Sequence, residues 1–254
     1  MNSDSDTPPS AAIVLIGNEL LSGRTQDKNL AFVGSRLAAR GIVLTEARVI
    51  ADVPTVIADT VNAMRSKYTY VFTTGGIGPT HDDITAECVA EAFGVPLPTH
   101  PEAERRLLEY FKARDIEPNA DRMRMAKIPL GASLIDNPVS IAPGFCIENV
   151  YVMAGVPRIM QAMFENVEPT LAIGPSIDSV SVVCDLGEGT FASHLRALQV
   201  RFADLELGSY PISVENGSRV ALVAKGQNKP ALAEVEAELE KMVQKLGGRV
   251  YLDD

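Results

Sequence analysis

The segment Ala11-Ala-Ile-Val-Leu-Ile-Gly17 constrains the fold more than any other: six apolar residues in succession, closed by glycine. A strand wetted on one side alternates apolar and polar residues, so an uninterrupted run belongs to a strand covered on both faces. It is too short to cross a bilayer. The next segments supply the covers. Leu30, Val33, Leu37 and Ala38 recur at helical spacing after Asp27, with Gly41 as the stop. Residues 42–50 alternate as a strand, residues 54–65 read as a helix opened by proline, and residues 68–74 form the next strand. A helix over 83–93, closed by Gly94, completes the rhythm. Such alternation predicts an α/β fold built on a three-layer, mostly parallel sheet.

After Pro96 the rhythm changes. Residues 101–114 are predicted as an amphipathic helix and 120–127 as a shorter one. Residues 133–135 and 141–147 are predicted to form a hairpin around Asp136-Asn-Pro138. A strand at 151–153 and a helix from Pro157 to about Val167 follow. Two prolines and a glycine between Pro169 and Ser176 mark a boundary, giving domains at 11–172 and 177–254. The second domain reads as strand (179–185), helix (189–200), two short strands near Glu206 and Ile212, strand (219–225), helix (230–246) and strand (249–252). That order suits a small α+β layer of ferredoxin-like or KH-like type.

Composition narrows the function classes. Of 254 residues, 46% are hydrophobic and 22% charged, enough to bury a core without disulfides or a structural metal. A formal net charge of −10 argues against broad binding to nucleic acid or an anionic membrane. Cys88, Cys146 and Cys184 are far apart and contain no CxxC, so neither a disulfide framework nor a zinc site is expected. The expected location is a reducing compartment, the cytoplasm. Residues 1–10 are polar, lack the basic start of a signal peptide, and are expected to form a mobile tail.

The chemistry concentrates in Tyr70-Val-Phe-Thr-Thr-Gly-Gly-Ile-Gly-Pro-Thr-His-Asp-Asp-Ile-Thr85. A buried strand runs into Gly75, Gly76 and Gly78, which leave backbone N–H groups unshielded; Thr80 and Thr85 add hydroxyls, and a helix N-terminus follows. This suits a phosphate or pyrophosphate, although the loop lacks the Gly-Lys-Ser/Thr ending of a P-loop and the glycine spacing of the dinucleotide fingerprint. A tight turn capped by Asp82 or Asp83 is the competing explanation. Asp82 and Asp83 would repel an anion unless a Mg2+-like cation bridges them; alternatively Asp82 is solvated and Asp83 caps the helix. The loop Gly17-Asn-Glu-Leu-Leu-Ser-Gly-Arg-Thr-Gln-Asp-Lys-Asn29 emerges at the same sheet edge and offers Glu19, Ser22, Arg24, Asp27 and Asn29. Asp52 ends the second strand at that edge. Asp27 and Asp52 can each serve the site or cap a helix. His81 reads as solvated or phosphate-contacting rather than as a base, Cys88 as a buried thiol, and Tyr210 as packing rather than stacking.

These residues resemble the molybdopterin-binding domain of the Mog/Moa type. The resemblance spans residues 11–168 and centres on Thr73-Thr-Gly-Gly-Ile-Gly78 and Asp83-Ile-Thr85, with Gly17-Asn-Glu-Leu-Leu-Ser-Gly23 and Gly155-Val-Pro157 in support. Within it, Pro129-Leu-Gly-Ala132, Asp136-Asn-Pro-Val139 and Ala142-Pro-Gly-Phe145 are similar to the amino-terminal region of the CinA branch, the competence/damage-inducible proteins. Val139-Ser-Ile141 and Met153-Ala-Gly155 depart from that branch, which carries a Gly-containing and a Leu-Pro-Gly-like stretch there. Gly187-Glu-Gly189 and Gly208-Ser-Tyr-Pro211 resemble the small domain that follows in CinA-like proteins and in eukaryotic FAD synthases. The CinA amidase domain would begin where this chain ends, so its deamidase activity is not expected here.

The resemblance implies a metal-dependent pyrophosphatase acting on ADP-ribose, FAD or a similar dinucleotide. It would use Mg2+, Co2+ or Mn2+, with K+ as a further ion. The alternative is a molybdopterin- or nucleotide-binding protein without hydrolysis: a carrier, adenylyltransferase or sensor. On the first reading, Asp83 and Asp52 are catalytic, and Asp27, Asp82 and Asp83 form the metal shell. Gly75, Gly76, Gly78, Thr80, Thr85, Glu19, Asn29, Gly155 and Pro157 bind substrate. The expected partner is a small dinucleotide or pterin, with no nucleic acid and no membrane, and the expected assembly is a homodimer.

Overall fold

The computed structural model describes residues 8–214 and 217–251, and the chain divides into two compact units between Gly174 and Pro175. The first unit is built on a six-stranded sheet. Its strands are β1 (Ser10–Ile16), β2 (Val43–Ile50), β3 (Tyr70–Thr74), β4 (Ser133–Ile135), β5 (Gly144–Ile147) and β6 (Val150–Met153), in the order β2-β1-β3-β6-β5-β4. β2, β1, β3 and β6 are parallel; β5 and β4 run antiparallel at one edge. The helices are α1 (Asn18–Leu21), α2 (Asn29–Ala39), α3 (Pro54–Arg65), α4 (Thr85–Phe93), α5 (Pro101–Lys112), α6 (Ala120–Met123) and α7 (Pro157–Val167).

β1 feeds two cores at once. Ala12, Val14 and Ile16 join the apolar residues of α3, α4 and α5, while Ala11, Ile13 and Leu15 join those of α2 and α7. All six are at most 2% exposed, which is why the run contains no polar residue. The chain leaves β1 on one side to make β2 and returns on the other to make β3, so the strand order reverses between β1 and β3. A crevice opens there at the carboxyl ends of the strands.

The second unit contains β7 (Asp178–Cys184), α8 (Glu188–Arg201), β8 (Glu206–Val214), β9 (Gly217–Gly226), α9 (Lys229–Lys245) and β10 (Val250–Tyr251). Its antiparallel sheet has the order β10-β7-β9-β8, the ferredoxin-like one of the two arrangements suggested by the sequence. Val182, Leu222, Phe191, Val235 and Leu239 fill its core.

Several boundaries differ from expectation. The tail does not extend to Ser10: Ser10 opens β1, and the Pro9 carbonyl accepts the Val43 N–H at 2.9 Å. Residues 1–7 of that tail, and Leu252 of the last strand, lie outside the described residues. The helix expected from Asp83 begins at Thr85, because Asp83 turns its carboxylate back onto Thr80. The hairpin strand expected from Ile141 begins at Gly144, since Ile141 has φ +67°, which no strand accommodates. The two short strands near Glu206 and Ile212 are one continuous strand; Pro211 fits within it because β8 is the edge strand. Among the described residues, no helix is long and apolar enough to cross a membrane.

Because Ile13 is fully buried and flanked on both sides by β2 and β3, truncating it leaves a cavity that backbone relaxation cannot close. Ile13→Ala is expected to destabilise the first unit by about 2–5 kcal/mol in denaturant unfolding.

Candidate functional site

Three loops leave the carboxyl ends of β1, β3 and β6 and meet at Gly75. Its φ is +107°, and a methyl group there would fall 2.2 Å from the Ile16 carbonyl oxygen. Gly155 lies against it, since a Cβ on Gly155 would sit 3.2 Å from the Gly75 Cα. The Gly75 N–H donates to the Met153 carbonyl at 3.0 Å. Gly75 therefore joins the three strand ends, and its amide is unavailable to a ligand, contrary to expectation. The amides of Gly76, Ile77 and Gly78 have no acceptor among the described residues. The bed of main-chain nitrogens is displaced along the loop from where the glycine pattern suggested.

These loops wall a cleft of about 650 Å³, a volume suited to a nucleotide-sized ligand. Glu19, Asp52, Asp82 and Asp83 all line it. So do Gly75, Gly76, Gly78, Gly155 and Pro157, the last opening α7. The Asp52 Oδ2 accepts the Asn18 N–H at 2.8 Å, so it caps α1, 34 residues upstream, rather than α3. Its other oxygen accepts no hydrogen bond among the described residues. The Glu19 carboxylate folds over Gly17, where a methyl group would fall 2.5 Å from it.

Asp82 and Asp83 are organised by Thr80. The Thr80 Oγ1 lies 2.5 Å from Asp82 Oδ1 and 2.6 Å from Asp83 Oδ2, and the Thr80 N–H donates to Asp83 Oδ2 at 2.8 Å. One hydroxyl proton serves two carboxylates. The Thr80 hydroxyl holds the Asp82 carboxyl below its ordinary range, with smaller help from the Asp82 backbone. Asp83 also abuts the amide bed: a methyl group on Gly78 would fall 2.5 Å from its Oδ2. Arg124 fastens this turn from below, donating to the carbonyls of Thr80 (2.9 Å) and Asp83 (3.1 Å).

Four expected ligand residues serve the frame instead. Asp27 spends both oxygens on the N–H groups of Asn29 and Leu30, at 3.1 and 3.0 Å, and is absent from the cleft lining. Asn29 is buried and donates to the Gly155 carbonyl at 2.8 Å, tying the start of α2 to the end of β6. Thr85 is fully buried and donates to the Gly75 carbonyl at 3.0 Å. Thr80 is committed to the Asp pair. Among the described residues, no three His, Cys, Asp or Glu side chains are grouped closely enough to hold a metal ion by themselves. His81 is almost fully exposed. Burial pushes the Cys88 thiol up to about 11, which keeps it protonated and inert.

Sequence reasoning missed the far wall. Tyr110 from α5, Met125, Asn137, Ser140, Ala142 and Ile159 also line the cleft. Asn137 shapes the turn: its Oδ1 accepts the N–H groups of Val139 and Ser140, and its Nδ2 donates to Ser140 Oγ and the Ala142 carbonyl. The segment Asp136-Asn-Pro138 signalled a turn, but not that the turn would line the cleft.

Together these features define a doubly covered α/β domain whose ligand cleft sits at the strand-order reversal, followed by a ferredoxin-like unit. Residues 12–172 match the family described as the probable molybdopterin binding domain, and residues 177–247 match the middle domain of FAD synthase. A protein of Aeropyrum pernix is 34% identical over 97% of this chain and 98% of its own length. A CinA-like protein of Salinibacter ruber is 32% identical over 89% of this chain and 57% of its own length. The crystal structure of CinA, a protein of unknown function from Thermoplasma acidophilum, superposes with a TM-score of 0.59 at 32% identity. That match covers 64% of this chain and 98% of the other. The chain belongs to the Mog/Moa-type molybdopterin-binding family, in its CinA-like branch.

Two outcomes test the site's construction. Gly75→Ala, at φ +107°, must push the Ile16 carbonyl away, whereas Gly94→Ala, at φ +65°, places its methyl group in open space. Gly94→Ala should cost about 1–2 kcal/mol in thermal unfolding, and Gly75→Ala clearly more. Removing the hydroxyl in Thr80→Val should raise the Asp82 titration toward the ordinary carboxylate range, as read by carboxyl carbon NMR shifts against pH.

Proposed function

We propose that this protein is a divalent-metal-dependent pyrophosphatase that cleaves the diphosphate of ADP-ribose, FAD or a similar dinucleotide. One observation carries the reading: Gly76, Ile77 and Gly78, whose amides have no acceptor among the described residues, line one cleft together with the acidic residues Asp52, Asp82 and Asp83. Amides alone suit an anion, and carboxylates alone suit a cation. Their juxtaposition suits an anion that arrives with a cation. The similarity of residues 177–247 to the middle domain of FAD synthase supports a ligand of the dinucleotide kind.

The donor set fits a cation held in part by substrate. Mg2+ is commonly bound through one or two carboxylates plus phosphate oxygens rather than in an all-protein cage. Asp82 and Asp83 would hold it, and Asp27 stays out of the direct shell because it lies outside the cleft lining, its carboxylate receiving the Asn29 and Leu30 N–H groups. When bound, the ion neutralises charge on the phosphoryl oxygens and acidifies a bound water. K+ remains a further ion of the proposal.

The chain's own groups then divide the work. The Gly76–Gly78 amides hold non-bridging phosphoryl oxygens where charge develops. The Asn18 N–H fixes Asp52 through one oxygen, leaving the other to orient a water and take its proton. The water oxygen bonds to one phosphorus and the bridging oxygen departs with the second phosphate, giving two phosphomonoesters. Glu19 lies on the same cleft to meet the far half of the ligand. A homodimeric assembly, a cytoplasmic location and the absence of nucleic-acid binding belong to the same proposal.

The test is release of AMP from ADP-ribose and FAD with Mg2+, Co2+ or Mn2+, with and without K+, read by mass detection. Asp83→Asn and Asp52→Asn should each lower kcat by about a hundredfold or more while leaving the unfolding transition in place. Chelation should abolish turnover. Binding of dinucleotide or molybdopterin with no AMP released would support the carrier, transferase or sensor reading instead.

A further inference from the structure

The cleft contains a surface for which a diphosphate has no use. Tyr110, Met125 and Ala142 line it and pack, with Ile77, on the rim of the core that backs α3, α4 and α5. None is charged. The Tyr110 ring is held from two sides: the Arg114 guanidinium lies 3.7 Å from its centroid, and Phe111 meets it edge-on at 5.8 Å. A ring fixed in this way loses little freedom when a second ring stacks on it. Met125 adds a polarizable, adaptable neighbour.

We propose that this wall is a subsite for a planar nitrogen heterocycle of the ligand, stacked on Tyr110. The proposal rests on the reading that places a diphosphate against Gly76–Gly78. It also sets how selective the subsite is. The Asn137 amide is fully spent inside its own turn, so it cannot read a base edge. The Ser140 hydroxyl accepts from Asn137 and keeps its proton, leaving one polar donor beside an apolar wall. Such a wall discriminates by shape and stacking, so adenine and guanine should differ by less than about tenfold.

Calorimetric titration of the full chain with AMP, GMP and ribose 5-phosphate, in the presence of Mg2+, separates the ring from the phosphate. Wild type should bind AMP about tenfold to a hundredfold more tightly than ribose 5-phosphate. Tyr110→Ala should bring that ratio close to one without altering the affinity for ribose 5-phosphate. Tyr110→Leu keeps bulk without an aromatic face, and should lose the ratio while unfolding at the wild-type temperature. Tyr110→Phe should restore it. A ratio that survives in the Ala or Leu variant, or no preference for AMP in wild type, would overturn the subsite. A wild type that prefers AMP yet releases none from ADP-ribose would overturn the pyrophosphatase reading and leave the ring subsite standing.

Discussion

The packing of Gly75 between the Ile16 carbonyl and Gly155 governs the arrangement of everything above it. A parallel sheet brings its strands within one hydrogen bond of each other, but the loops that leave it usually diverge toward their own helices. Here the absence of a Cβ lets the end of β3 pass under the end of β1 and against the loop after β6. The Gly75 amide closes the gap to Met153, and Thr85 closes it from the other side through the Gly75 carbonyl. Asn29 then adds the start of α2 through the Gly155 carbonyl. The floor of the cleft is a hydrogen-bonded junction, and the unbonded amides of Gly76, Ile77 and Gly78 begin where that junction ends.

The electrostatic problem posed by three aspartates on one cleft is met by local donors rather than by neutralising cations. Asp52 is held by an N–H of α1, Asp83 by the N–H and hydroxyl of Thr80, and Asp82 by that same hydroxyl. Each donor fixes one carboxylate oxygen and leaves room at the other. Arg124 directs its guanidinium to the carbonyls of Thr80 and Asp83 and to Glu87, so its charge stabilises the turn from outside the cleft. One oxygen of each aspartate is left without a hydrogen-bond donor among the described residues.

The sheet and its helices were legible because burial leaves a periodic record: β1 is apolar from Ala11 to Ile16, and the helix expected over residues 54–65 from its first-turn proline is found at Pro54–Arg65. The site was legible as a neighbourhood but less so as a set of roles. An aspartate at a strand end can cap, coordinate or hydrate, and sequence spacing favours the local helix. Asp27 follows that rule, whereas Asp52 caps a helix 34 residues away that the sequence did not announce. Tyr110 was hidden for another reason. It extends the apolar stripe of α5 by one position, and a residue at the margin of a stripe looks the same whether it faces core or cleft.

Ile141 shows how the same physics extends to the far wall. A β-branched residue at φ +67° carries strain on the order of 1–3 kcal/mol, which persists only where surrounding contacts leave no alternative. Asn137 supplies them through four side-chain hydrogen bonds, and its carbonyl also accepts the Ile141 N–H at 3.1 Å. The outcome is a short turn that presents Ser140 and Ala142 to the cleft while Ile141 packs back on the core. Asn137 therefore sets where this wall stands, and the residues between it and Ala142 set what the wall presents to the cleft.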